Sequence, residues 1–173
     1  MTDAAWLDRW LPLLAQHGAG RPVLELGCGS GLDTARLAAA GHAVVAIDRD
    51  AAAVAKARER APSARIETQD LLGPWPLAEG GCGAIVARLQ RALGPRGLLL
   101  CRLNSTHDRH FGASGHPAID ENYFDVDGAP KRFFDRVTID RLFGPAWQVL
   151  SLEETTIDRY EQPKVVWELA AAV

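Results

Sequence analysis

The chain has 173 residues, 47% of them hydrophobic and 24% charged, which is the composition of one ordinary globular domain. That excludes a disordered or fibrous protein and leaves no room for a nucleotide-binding domain beside a separate substrate domain, so residues 1–173 are expected to form one domain. Nineteen basic residues against twenty-two acidic ones leave a net charge of −3, with no electrostatic footprint for nucleic acid or an anionic membrane.

Residues 3–17 read as an amphipathic helical segment, with Trp6, Trp10, Leu13 and Leu14 at helical spacing; Pro12 bends it or starts a second helix. Val23 to Leu26 is a short strand, followed by Gly27-Cys-Gly-Ser-Gly31 and a helix from Leu32 to Ala40 that stops at Gly41. Ala43 to Ile47 is a continuous apolar strand, as suits a sheet covered on both faces. It ends in Asp48-Arg49-Asp50, where Asp50 can cap a helix over 51–61. Arg65 to Thr68 is a third strand, Ala84 to Ala87 a fourth and Gly97 to Leu103 a fifth. This alternation predicts an α/β fold with a doubly wound, mostly parallel sheet. Asn104 to Pro130 is a polar stretch too long for a passive connection. Asp135 caps a short helix to about Phe143. Two final strands, Trp147 to Ile157 and Lys164 to Ala171, are joined too tightly for a parallel crossover and must be antiparallel.

The strongest chemical signal is Glu25-Leu-Gly27-Cys28-Gly29-Ser-Gly31, placed between a strand and a helix. Glycines there let the backbone turn tightly and approach a ligand, and the helix start presents free N–H groups. The dinucleotide fingerprint G-x-G-x-x-G/A fails at Leu32, and the phosphate-loop Gly-Lys pair is absent. Glu25 would repel a pyrophosphate but suits a ligand bearing an ammonium group. Asp48, at the end of the second strand, can accept both hydroxyls of a ribose. Asp70, after the third strand, can accept from an adenine amino group. Cys28 serves by its backbone rather than its thiol. The three cysteines are far apart and show no C-x-x-C pair, which argues against a disulfide framework or a zinc site. The acidic N-terminus is unlike a signal peptide, and no apolar run reaches the roughly eighteen residues of a membrane span. A cytoplasmic protein is expected.

On these residues the chain resembles the class I S-adenosylmethionine-dependent methyltransferases, a seven-stranded Rossmann-like family with an antiparallel last strand. The resemblance takes in the E-x-G-x-G-x-G loop at Glu25 to Gly31, the acids Asp48 and Asp70, the strand at Ala84 to Ala87 and the terminal hairpin. It implies S-adenosyl-L-methionine as cofactor. Glu25, Gly27, Cys28 and Gly29 would hold the methionine part, Asp48 and Arg49 the ribose, Asp70 and Leu71 the adenine, and Ala87 would approach the methyl group. A looser similarity, through compact size and Arg132-Phe-Phe, is to small methyltransferases of the tellurite-resistance and thiopurine type. The acceptor implied is a small molecule, with no nucleic-acid or membrane partner. A non-catalytic binder of the cofactor or its demethylated product, and an NAD(P)-binding domain, are the alternatives.

One departure stands out. Only Ala87 to Gly97 separates Val86 from Leu98, too short for a regular parallel crossover with its helix. The chain is therefore expected to be interrupted between residues 86 and 90, with an active-site segment absent; an unbroken trace would favour the non-catalytic alternative. Asn104, Ser105, Thr106, His107, Asp108, His110 and His116, which follow the fifth strand, are candidates for lining a substrate. Their spacing matches no metal-ligand pattern. Lys131 and Arg132 read as a solvated pair, and no catalytic residue can be assigned.

Overall fold

Val23–Leu26 (β1), Val44–Asp48 (β2) and Arg65–Thr68 (β3) lie parallel in the order β1-β2-β3 in the computed structural model, which describes residues 5–18, 20–70, 82–158 and 162–173. Leu26 stands beside Ile47, and Asp48 beside Thr68, so the three strands end at one carboxyl edge. The crossovers are the helices Leu32–Ala39 (α3) and Ala51–Arg60 (α4). Asp50 caps α4 by accepting from the N–H groups of Ala52 and Ala53 at 2.9 and 3.3 Å. Ala46, Ile47, Val54, Ala57, Leu37 and Ile66 are buried, so the apolar run of β2 is covered as its sequence requires. Two short helices precede the sheet, Ala5–Asp8 (α1) and Leu11–Gly18 (α2), and Pro12 sits in the first turn of the second. These elements belong to one compact unit, Met1–Gly80.

The second unit, Gly81–Val173, opens with the helix Cys82–Leu93 (α5), which leads into Leu98–Asn104 (β4). Gln148–Ile157 (β8) and Lys164–Ala172 (β9) form the terminal antiparallel hairpin, and β9 also pairs antiparallel with β4. The last strand is antiparallel, as the short connection demands. Arg136–Leu142 (α6) is capped by Asp135, whose carboxylate accepts from Thr138 N–H at 2.7 Å. The core of this unit joins Val86, Phe134, Ile139, Phe143, Trp147, Leu169 and Ala171, with Phe143 and Trp147 edge to face at 5.6 Å. Glu168, facing inward on β9, is ion-paired with Arg102 on β4 at 2.7 Å.

Two expectations are corrected. Ala84 to Ala87 is not a strand. It is part of α5, because Val86, Leu89 and Leu93 recur at helical spacing and pack against the core. The chain consequently runs unbroken through residues 86–90, and the Val86–Leu98 interval is the end of a helix and its turn rather than a truncated crossover. The polar stretch after β4 is also structured: Ala118–Asp120 (β5), Tyr123–Val126 (β6) and Ala129–Arg132 (β7) make an antiparallel meander. Asp127 and Gly128 both have positive φ, 54° and 81°, in the two-residue turn between β6 and β7. The described strands thus pair as three sheets of three. Among the described residues no helix is long and apolar enough to cross a membrane.

Candidate functional site

The loop between β1 and α3 turns on three glycines of positive φ: Gly27 at 77°, Gly29 at 52° and Gly31 at 77°. They differ in surroundings. A Cβ on Gly31 would lie 2.7 Å from the Cβ of Ala57, so this glycine lets α3 begin against α4. A Cβ on Gly27 or Gly29 would meet nothing within 4 Å, which leaves the backbone there open to a ligand. The loop is pinned from below and from the side. Ile47 O accepts from the N–H groups of Gly27 and Cys28, and Arg60 donates to the carbonyl and hydroxyl oxygens of Ser30 at 2.6 and 2.9 Å.

Asp48 faces this loop from the end of β2. Its Oδ2 accepts from Gly29 N–H at 2.8 Å and its Oδ1 from Asp50 N–H at 2.9 Å. Each carboxylate oxygen keeps a second acceptor position. Glu25, half-buried on β1, accepts a 2.6 Å hydrogen bond from Thr34 Oγ1 on α3, and Thr34 is fully buried. Burial pushes the Glu25 carboxyl up to about 7; Thr34 pulls the other way, while Asp33 and Asp48 add like-charge repulsion. The buried Cys28 thiol is pushed up to about 11 by desolvation and by the carboxylates of Glu25 and Asp48, so it stays neutral and is no nucleophile.

Glu25, Gly27, Cys28, Gly29 and Asp48 are therefore brought together by direct contacts at one sheet edge. Arg49 is exposed beside Asp48, and Asp70 is exposed just beyond β3, whose extension is held by Gln69 N–H on Asp48 O. Leu71 lies outside the described residues. Ala87 is corrected: it is an exposed residue within α5, not a strand end, and the ground for assigning it to a cofactor is gone. Sequence reasoning missed Thr34, whose only signal was a hydroxyl beside Asp33 in the first turn of α3. Trp6, singled out in the amphipathic segment 3–17, donates through Nε1 to Asp33 Oδ2 at 3.0 Å, a contact its spacing does not announce.

The donor set fits an adenosyl amino-acid ligand: an acid for a cation, open glycine backbone, and acids at two further strand ends. Among the described residues no group of three His, Cys, Asp or Glu side chains is arranged to hold a metal ion.

Comparison with known proteins agrees. Residues 23–97 match the family model described as a methyltransferase domain. No curated protein matches by sequence. Among solved structures, the fold is similar to an S-adenosylmethionine-dependent methyltransferase from Methanosarcina mazei (16% identity, TM-score 0.68, covering 86% of this chain and 90% of that one). It is also similar to one from Clostridium acetobutylicum (13%, 0.67, 100% and 92%). A third similar structure is the magnesium protoporphyrin IX methyltransferase of Synechocystis with bound S-adenosylhomocysteine (16%, 0.62, 98% and 82%). Residues 23–97 thus match a methyltransferase domain, and the α/β, Rossmann-like fold is the one these S-adenosylmethionine-dependent methyltransferases share.

Proposed function

We propose that this chain is a class I S-adenosylmethionine-dependent methyltransferase that transfers the cofactor's methyl group to a nucleophilic O, N or S atom of a small molecule. The observation that carries the cofactor half is the half-buried Glu25 beneath an open glycine loop, with Asp48 at the neighbouring strand end. In this reading Glu25 receives the ammonium of the methionine part, and the backbone of Gly27, Cys28 and Gly29 lies along it. Asp48, flanked by Arg49, accepts the ribose hydroxyls through the lone pairs its loop contacts leave, and Asp70 accepts from the adenine amino group. When bound, the cofactor supplies a methyl group made electrophilic by its own sulfonium. The protein's share is to place and deprotonate an acceptor in a site shielded from water.

A small acceptor is supported by the net charge of −3 and by the porphyrin named as substrate of the Synechocystis relative. The remaining parts of this reading are one methyltransferase domain over residues 1–173, a cytoplasmic location and the seven-stranded form of the fold. Calorimetric titration with S-adenosylmethionine, S-adenosylhomocysteine and NAD tests the cofactor site. Turnover against small alcohols, amines and thiols, beside protein and RNA acceptors, tests the acceptor class. Binding of NAD alone, or methylation confined to the macromolecules, would refute the reading.

A further inference from the structure

We propose that Trp6 and Asp33 are positioning residues of the cofactor site: the indole N–H on Asp33 fixes the first turn of α3, and through it the hydroxyl that Thr34 gives to Glu25. The inference rests on the reading of Glu25 as the receiver of the ammonium, and adds the contacts that set how readily Glu25 carries its charge. α1 is a helix of four residues, too short to hold its shape alone. Its Leu7 is buried, Trp6 Nε1 donates to Asp33 Oδ2 at 3.0 Å, and Arg36 Nε donates to Asp8 Oδ1 at 2.6 Å. Asp33 and Arg36 stand three residues apart, on one face of α3. Thr34 follows Asp33, is fully buried, and donates at 2.6 Å to Glu25 on β1. The first turn of α3 is thus held from one side by α1 and reaches Glu25 from the other.

The charges around Glu25 give each contact a sign. The titratable groups that face it are Asp33 on α3, Asp48 at the end of β2 and the Cys28 thiol of the loop, which is neutral. The Thr34 hydroxyl favours the ionised carboxylate, whereas the charges of Asp33 and Asp48 oppose it. The indole N–H draws on the charge of Asp33 in a charge-assisted hydrogen bond. Loss of that N–H therefore acts on Glu25 twice in one direction. It loosens the turn that carries Thr34, and it leaves the charge of Asp33 fully opposed to Glu25. Both raise the pH at which Glu25 ionises. Removing the charge of Asp33 while keeping an oxygen for the indole does the opposite. The second tie is different in kind: Asp8 and Arg36 are both exposed, so their ion pair contributes little. The segment before β1 thus tunes cofactor affinity near neutrality, although no motif marks it.

The test follows the Glu25 carboxyl directly. Its titration is read in the cofactor-free protein by NMR of isotope-labelled glutamate carboxyls, with Glu25→Gln giving the assignment. Trp6→Phe keeps an aromatic ring without the donor and is expected to move the midpoint upward from about 7. Asp33→Asn is expected to move it downward, and Arg36→Gln to leave it in place. Calorimetry near neutrality should show affinity for S-adenosylhomocysteine about three- to tenfold weaker in Trp6→Phe. In a Thr34→Val background the same substitution should cost no more than about twofold, because the bond it supports is gone. An unmoved midpoint in Trp6→Phe, an upward shift in Asp33→Asn, an equal upward shift in Arg36→Gln, or losses of affinity that simply add would overturn the proposal. Absence of S-adenosylhomocysteine binding in the wild type would instead overturn the cofactor reading of Glu25, and the NMR titration would still decide the roles of Trp6 and Asp33.

Discussion

Thr34→Val removes one hydroxyl while keeping the volume of a side chain that is fully buried, so its effect isolates the 2.6 Å bond to Glu25. In the free protein Glu25 titrates at about 7, well above 4.5, chiefly because burial penalises its charge. The sign for stability follows from linkage. A carboxyl whose folded value is raised contributes stability that is full below the unfolded value and lost as pH rises through the folded one, here between about 4.5 and about 7. Ionised Glu25 therefore costs the fold on the order of 3 kcal/mol above that window. A bound ammonium reverses the balance by favouring the ionised form. Affinity for S-adenosylhomocysteine should rise with pH from about 6 to about 8, approaching tenfold per unit below the titration, with a proton released on binding. Thr34→Val withdraws a hydrogen bond to a charged group worth about 1.5 to 3 kcal/mol. It should weaken binding near neutrality by about ten- to a hundredfold and move the pH dependence upward, and Thr34→Ser should restore both. Calorimetry in two buffers of different ionisation heat reads affinity and proton count together. Binding that is flat over this range, or a Thr34→Val protein that binds as the wild type does, would refute the assignment of Glu25.

Asp48→Ala should lose about 2 to 4 kcal/mol of cofactor affinity, since it removes a charge-assisted acceptor and releases Gly29 N–H; titration with S-adenosylhomocysteine checks it. Gly31→Ala should destabilise the fold by about 1 to 3 kcal/mol in denaturant unfolding, because the added Cβ meets Ala57 at 2.7 Å in a strained φ of 77°. Arg102→Leu should cost about 3 kcal/mol or more, since it strands Glu168, 5% exposed, without its ion pair; Arg102→Leu with Glu168→Leu should recover most of that loss.

The first half of the chain is legible because its signals are local. Glycines punctuate the turn after β1, Asp50 caps the helix it precedes, and β2 reads as one apolar run. The terminal hairpin is legible from the length of its connection alone. Ala84 to Ala87 misleads because four consecutive apolar residues fit a buried strand and a helix equally. Only the wider spacing of Val86, Leu89 and Leu93 decides between them. The meander carries a turn signal in Asp127-Gly128, but its strands are three or four residues long and hold a single buried residue, Val126, so no hydrophobic alternation announces them. Pro130 tells against a strand too, and is tolerated because β7 lies at the edge of its sheet.

Glu25 and Glu154 show why one side-chain cluster is written in a motif and another is not. Among the described residues Glu25 has one side-chain donor, Thr34, and two acids, Asp33 and Asp48, that oppose its charge, so burial leaves it desolvated, as befits a group that receives a cation. Its place is set by the backbone of β1 and the glycine loop, which a short stretch of sequence encodes. Glu154 is already satisfied by Ser105 and His107, so its charge is spent on orienting a neighbour rather than on receiving a ligand. Those partners lie 49 and 47 residues away, and only the antiparallel pairing of β4, β9 and β8 brings them to one place. A cluster built on backbone geometry leaves a pattern in the sequence, whereas one built on tertiary contacts leaves none.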